Sequence, residues 1–446
     1  MALLFVSDAL LSWQRRLLAR SAGVVVLLFC TTAASLGISR VSKAPILRLD
    51  LVRYSAAAET SESPGSGNRV PRSSEEDAAV QRLARALEES LSQAQFEKAR
   101  GVFAQILERP HLSSDLLLRV GIQFAERELY PEAAQAFQRC VQEHPKLFEA
   151  YYNLALAEFA RQNLAASLAT LKTAPQKSKA EILACSYLRG KIEDAQGSAV
   201  EALHDLSIAF AGAPQNQTYG LELGLFYTRH RSYIRAIEVF ERSLRLSPRA
   251  PFLRLGLSLA RFLAGQQRQS VEDLKKLLAM EPDFSPAQLL MAFALFMDGK
   301  LEDAEEVASQ VLTSERPSPY LYYLDASILV KLQSREYDRI FQELHIAERA
   351  IPACSLCYLT ESKAHEAQGN VEGAIADLET SVRQDPGFPE AWYRLASLYR
   401  RAGRKADAAQ AEAHFQALKA DKEERETNML RENFLQTLGD PGRATP

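Results

Sequence analysis

Apolar and small residues recur along most of this chain with a period of 34 or 35 residues. The pattern covers roughly residues 79–422, and eight of the nine spacings between successive units have that length. Self-similarity at such a period is typical of a repeat architecture, in which each unit packs mainly on its neighbours. The ten predicted units begin near residues 80, 114, 148, 183, 217, 251, 285, 321, 355 and 389.

Two places within the unit hold small residues, and a third holds a large apolar one. The large residue follows the second small place by four positions, which is one helical turn and therefore the same helix face. We interpret this stripe as the core and the small residues as points where two helices approach closely. The eighth place holds Gly121, Ala155, Gly190, Gly224, Ser258, Ala292, Ser362 and Ala396, the twentieth holds Ala99, Ala133, Ala202, Ala236, Ala304, Ala374 and Ala408, and the large residues are Phe103, Phe137, Leu206, Phe240 and Leu378.

Glycine and proline mark the predicted helix ends. One glycine place recurs where a residue that ends a helix commonly needs a positive φ. A proline closes six units, because proline cannot continue a helix. The glycines are Gly197, Gly265, Gly299, Gly369 and Gly403, and the prolines are Pro145, Pro214, Pro248, Pro282, Pro352 and Pro386.

These residues, in register over ten units, resemble the tetratricopeptide repeat, a helix-turn-helix hairpin. The resemblance implies an all-α fold, a right-handed superhelical solenoid of about ten such hairpins. The unit near 321 departs from the pattern, because its inter-helix segment KLQSREYDRI is longer and lacks glycine, and Ile340 stands in the alanine place. We expect a local irregularity there.

The resemblance also implies a groove. In this family the second, fifth, ninth and twelfth places of the first helices usually point into it, and in the units from 217 to 285 these places are strongly apolar. Such a groove suits an amphipathic helix or an extended apolar peptide. The same spacing is also typical of a core stripe, so both interpretations stay open. The predicted groove residues are Leu221, Leu225, Phe252, Leu255, Leu259, Phe262, Leu289, Phe293 and Phe296.

The first 78 residues differ from the repeats in composition. A basic region, residues 1–20, ends in Arg15, Arg16 and Arg20 and precedes an apolar stretch, residues 21–38, which has the order of a signal peptide or a short transmembrane anchor. Residues 39–78 read as a flexible linker. A helical tail, residues 423–446, follows the repeats. We therefore expect the repeats to lie in the cell envelope, anchored to the inner membrane and outside the cytoplasm, or periplasmic or secreted after cleavage.

Composition excludes several classes of function. The 53 basic and 56 acidic residues nearly balance, and no long basic run favours a phosphate backbone, so nucleic acid is not an expected partner. The usual catalytic signatures are absent from the sequence. We expect no enzymatic activity and no cofactor.

Cys354 and Cys357 form a single CxxC where a first helix is expected to begin, and the helix dipole there would favour a thiolate. They are candidate redox residues. A zinc site that recruits His345 or His365 matches no standard spacing, and we expect no metal.

The leading hypothesis is a protein-interaction scaffold whose groove binds a segment of a partner protein in envelope assembly or export. One alternative is a thiol redox or disulfide-handling protein that uses the CxxC pair. The other is a structural or oligomerisation module, with the groove filled by the chain's own tail or by a second copy.

Overall fold

The computed structural model describes residues 74–313 and 317–420, and within these ranges the secondary structure is entirely helical, with 20 helices in ten successive pairs. None of these helices combines the length and the apolar character that a membrane crossing needs. The proposed targeting segment, residues 39–73 of the predicted linker and the C-terminal tail lie outside the described residues. The last five residues of the predicted linker, 74–78, are helical, because the first helix begins at Ser74 and not near residue 80. The described residues divide into two compact units, with the division between Leu277 and Leu278.

The first unit contains five complete helix pairs and the start of a sixth. In the five complete pairs the first helix packs on the second, and in the second to fifth pairs the second helix also packs on the first helix of the next pair. The helices are α1 (Ser74–Ser92), α2 (Phe96–Leu107), α3 (Ser114–Ala125), α4 (Tyr130–Glu143), α5 (Phe148–Ala160), α6 (Leu164–Thr173), α7 (Lys179–Gln196), α8 (Ala199–Gly212), α9 (Gln217–Arg229), α10 (Tyr233–Leu246), α11 (Pro251–Leu263) and α12 (Gln267–Met280), the last of which crosses the division between the units.

The second unit continues the alternation with four further pairs. Its helices are α13 (Ser285–Met297), α14 (Leu301–Leu312), α15 (Pro319–Lys331), α16 (Tyr337–Ala350), α17 (Ser355–Ala367), α18 (Val371–Gln384), α19 (Pro389–Arg401) and α20 (405–420). The expected solenoid of helix-turn-helix units is confirmed within each unit.

Small residues allow close contact between neighbouring helices, as the sequence pattern predicted. Phe240 of α10 is fully buried, and its ring fills the space that a Cβ would occupy on Gly224 of α9 and on Gly256 of α11. The Phe137 ring stands against Gly121 in the same way. All eighth-place and twentieth-place residues named above are buried. The repeat therefore encodes its own helix spacing.

The predicted turn glycines adopt positive φ angles, between 75° and 84°. Units without glycine at this place use a non-glycine residue in the same left-handed conformation, such as Glu128, Gln162 and Arg231. The turn geometry is thus a property of the repeat, and glycine only makes it less costly.

The expected irregularity near residue 321 is confirmed. The α15–α16 connection, residues 332–336, is longer than the three-residue connection between α17 and α18. Gln333 supplies the positive φ, 56°, and Ile340 is fully buried in the place where other units have alanine. A larger side chain at the close contact and a longer turn occur together in this pair.

Candidate functional site

The predicted groove residues are divided between the two units. Of the six in the first unit, three are buried, namely Leu255, Leu259 and Phe262. Leu221 and Leu225 of α9 are half-buried against the core cluster that contains Phe240, and Phe252 is 51% exposed at the start of α11. The accessible part of the prediction in this unit is therefore Leu221, Leu225 and Phe252.

The three predicted residues of the second unit lie on α13. Leu289 is buried, whereas Phe293 and Phe296 are half-buried. The Lys331 ammonium lies 4.6 Å from the centroid of the Phe296 ring, which is a cation–π contact. A partner that reached Phe296 would therefore meet an apolar face beside a positive charge.

Further along the second unit, the corresponding places on the first helices are charged. Lys363 of α17 lies 3.2 Å from Glu390 of α19, and Glu366 lies 3.3 Å from Arg394. Tyr393, in the fifth place of α19, is 54% exposed. The apolar character of the predicted groove residues does not extend to this part of the chain.

A buried charge network joins α7 and α9 in the first unit. Glu222 is nearly fully buried and accepts from Arg229 at 2.8 Å, while Arg229 also contacts Asp194 at 2.7 Å. Burial alone would raise the pKa of Glu222, but the positive charges of Lys191 and Arg229 lower it. This network is internally neutralised and needs no ligand.

Arginine neutralises most of the buried carboxylates. Six carboxylate residues are buried among those the structure describes, and five of them form an ion pair with an arginine. The five pairs are Asp205 with Arg189, Glu222 with Arg229, Asp273 with Arg261, and both Asp325 and Glu343 with Arg339. The sixth is Glu361 of α17, whose partner within ion-pair distance is the imidazole of His345.

Glu361 belongs to a cluster that α16 and α17 build together. Its Oε1 lies 3.0 Å from Nε2 of His345, and Glu348 stands one turn along α16 from that histidine. One ligand-type atom from each of the three residues lies within 4.8 Å of the others. The His345 side chain is 61% exposed and that of Glu361 is 6% exposed, so the cluster runs from the surface into the core.

A second imidazole and a third carboxylate stand nearby. His365 Nδ1 lies 2.7 Å from Asp377 Oδ2, so the Asp377 carboxylate has a hydrogen-bond partner in His365. Burial, then the negative charges of Glu348 and Asp377, raise the pKa of Glu361 to about 8. The fold thus holds Glu361 in surroundings that disfavour its charged form.

The sequence reading missed this cluster, although one signal was available. Glu361 occupies the seventh place of its unit, and in six other units that place holds a buried apolar residue. Those residues are Val120, Leu154, Leu223, Leu257, Met291 and Leu395. An acidic residue at such a place marks either a buried ion pair or a ligand site.

The two residues of the CxxC pair are joined by a disulfide, with Cys354 just before α17 and Cys357 in its first turn. Both are buried, Cys357 completely. Among the described residues, Cys140 and Cys185 are free and buried, and burial raises the pKa of their thiols to about 12 and about 11. Neither free thiol has the lowered pKa of a reactive cysteine.

Comparisons with known proteins point to one repeat family. One family model, described as tetratricopeptide repeat, matches residues 124–181 and 359–421, and a second with the same description matches residues 261–328. The mouse protein DnaJ homolog subfamily C member 3 is 27% identical over 156 residues, which are 32% of this chain. The matched region spans 31% of that relative, or about a third of its length.

Two solved structures are similar to parts of the chain. A tetratricopeptide repeat protein from Parabacteroides merdae has a TM-score of 0.44 and 19% identity, covering 56% of this chain and 98% of that one. MamA from Desulfovibrio magneticus RS-1 has a TM-score of 0.35 and 20% identity, covering 38% of this chain and 96% of that one. Neither similarity bears on function at these values.

Proposed function

Because the chain is a tetratricopeptide repeat protein, we propose that it is a non-enzymatic scaffold that binds a segment of a partner protein along its first helices. The observation that carries the proposal is the accessible apolar surface of α9 and α11 in the first unit, formed by Leu221, Leu225 and Phe252. Solvent exposure of a phenylalanine forgoes roughly 1.5–3 kcal/mol of burial. A partner that covers Phe252 would recover part of that free energy.

The partner segment is an amphipathic helix or an extended apolar peptide. The accessible residues lie at the fifth and ninth places of one first helix and at the second place of the next, which matches ligand side chains spaced along a single face. Leu255, Leu259 and Phe262 are buried, so the proposed contact surface does not include them.

Site-specific photocrosslinking tests this proposal. A photoreactive residue at Leu225 or Phe252 should capture one recurrent partner sequence. The matched controls are Val200 and Ile234, exposed apolar residues at the start of the second helices α8 and α10, which should not capture it. Equal capture at both sets of positions would refute a first-helix binding surface.

We further propose that this scaffold acts in the cell envelope, in assembly or export. Two features support a location in the cell envelope. Arg15, Arg16 and Arg20 precede the apolar residues 21–38, and the Cys354–Cys357 disulfide is of a kind that persists in oxidising compartments. An alkaline phosphatase fused after residue 54 should be active in a bacterial host, because this enzyme needs an oxidising compartment. A fusion that lacks residues 1–38 should be inactive.

The redox alternative has less support. Thiol–disulfide exchange needs an attacking thiolate to reach a sulfur atom, and both sulfurs are buried. We expect that alkylation without denaturant, under mild reduction, leaves Cys354 and Cys357 unmodified. Rapid labelling of either residue in the folded protein would favour the redox function. Light scattering of the chain with and without residues 423–446 tests the alternative of self-association.

A further inference from the structure

We propose that His345, Glu348 and Glu361 form a binding site for a divalent transition-metal ion, with zinc as the reference ion. The site has two parts. α16 supplies an imidazole and a carboxylate one turn apart on the same face, and α17 supplies a buried carboxylate opposite them. This inference does not depend on the proposed scaffold function.

The charge balance of the site calls for a cation. Every other buried carboxylate among the described residues has an arginine beside it, whereas Glu361 has a histidine. The nearest arginine on α16, Arg349, donates to the backbone carbonyl of His345. Glu348 and Asp377 add negative charge around Glu361. A cation bound between these carboxylates would compensate for the burial of Glu361.

A bound ion would also supply a partner for one polar atom of this cluster. Oε1 of Glu348 is buried and makes no hydrogen bond within the described part of the chain. One carboxylate oxygen of Glu348 lies within 4.8 Å of ligand atoms of both His345 and Glu361. Ligands of a tetrahedral zinc ion, with bonds of about 2.1 Å, stand about 3.4 Å apart. Side-chain rotations that shorten the present spacing of at most 4.8 Å would bring the three atoms to that distance.

The ligand types narrow the choice of ion. One imidazole nitrogen and two carboxylates suit zinc or manganese, whereas calcium and magnesium prefer oxygen alone. His365 is held by Asp377 at 2.7 Å and is not a fourth ligand. Three protein ligands leave a coordination position for water on the exposed side of His345.

The proposed ion would join two consecutive helix pairs. α16 ends one pair and α17 begins the next, and the Cys354–Cys357 disulfide lies at the start of α17. Binding to the folded state alone would stabilise this junction by mass action. The site therefore has a structural role at the most irregular part of the repeat pattern.

Calorimetric titration of the purified full chain with Zn²⁺, without reductant and after removal of any affinity tag, tests the proposal. We expect one tightly bound ion per chain and a rise in the unfolding temperature. Glu361→Gln and His345→Gln should each weaken binding at least tenfold. Glutamine has nearly the same shape as the neutral carboxyl group that burial favours at Glu361, so the Glu361→Gln variant should remain folded.

The matched control is His230→Gln, because His230 also faces a carboxylate, Asp194 at 2.7 Å, but lies in the first unit. Its zinc affinity should stay within twofold of the parent chain. Absence of zinc binding at a 1:1 ratio, or equal affinity of the Glu361→Gln and parent chains, would overturn the proposal. So would a thiolate charge-transfer band with Co²⁺, which would assign the ion to cysteine.

Discussion

Replacement of Gly224 by alanine tests whether the small residues of the repeat set the helix spacing. A Cβ built on Gly224 would lie 2.4 Å from Cε1 of the Phe240 ring and 2.5 Å from its Cζ. Ordinary contact distances between carbon atoms are about 3.5–4.0 Å. The ring would have to retreat by about 1 Å, yet the Cβ position of Gly256 also stands 2.6 Å from the same two ring atoms. Phe240 is fully buried, so its ring has little space into which to move.

Two opposing contributions determine how much Gly224→Ala changes the free energy of unfolding. Overpacking of a filled core costs about 1–3 kcal/mol. Alanine in a helix interior is favoured over glycine by about 0.5–1 kcal/mol. The net loss of stability for Gly224→Ala should be about 1 kcal/mol and at most about 2.5 kcal/mol. Gly101 in α2 provides the matched control, because a Cβ there meets no atom within 4 Å. Gly101→Ala should gain about 0.5–1 kcal/mol.

Hydrogen exchange of amides in α9, α10 and α11 measures the local effect, because a repeat array need not unfold as one cooperative unit. Gly224→Ala should raise exchange rates in these helices, whereas Gly101→Ala should lower them in α2. Phe240→Leu should reduce the cost of Gly224→Ala by at least about 0.5 kcal/mol, because the two sites share one contact. Equal stabilisation by both alanine substitutions would refute the close-packing argument.

Three further predictions concern single residues. Gln162→Gly should stabilise the chain by about 0.5–1 kcal/mol in thermal unfolding, because Gln162 has a φ of 64°. Arg339→Ala should destabilise the second unit by about 3–5 kcal/mol, because it leaves buried Asp325 and Glu343 unpaired, and a loss below 1 kcal/mol would contradict this. The fold raises the pKa of Glu361 to about 8, so the stabilisation that its neutral form gives at acidic pH is lost as pH rises from about 4.5 through 8. Without added metal, Glu361→Gln should flatten the pH dependence of the unfolding temperature in that window.

The repeat pattern predicted the fold in detail because each unit reuses the same contacts. Seven of the ten first helices begin at the residue where the spacing placed the unit, including α3, α5 and α9. The other three begin two to six residues earlier, as for α7, whose start is fixed by a capping box between Ser178 and Glu181. Periodicity locates a helix pair well but does not locate the cap that starts it.

The accessible surface was harder to predict from the same pattern. The repeat pattern makes the same prediction for Leu225 and Leu259, since both stand at the ninth place of their units. Yet Leu225 is half-buried and Leu259 is 4% exposed. The difference arises from the neighbouring helices and not from the helix that carries the residue. A repeat consensus gives the direction of a side chain along its own helix, whereas exposure depends on how closely the adjacent pair packs.

Residues that depart from the repeat consensus indicate where this chain has features that the consensus does not predict. Asp325 stands at the fifth place, where Leu221 and Leu255 stand in their units, and Glu361 stands at a seventh place that is otherwise mostly apolar. The burial of each carboxylate opposes folding unless a partner compensates for it. For Asp325 the partner is Arg339 on the following helix. For Glu361 the chain supplies two ligand-type side chains on α16 instead of an arginine, and this difference is the physical reason to look for an ion at that junction.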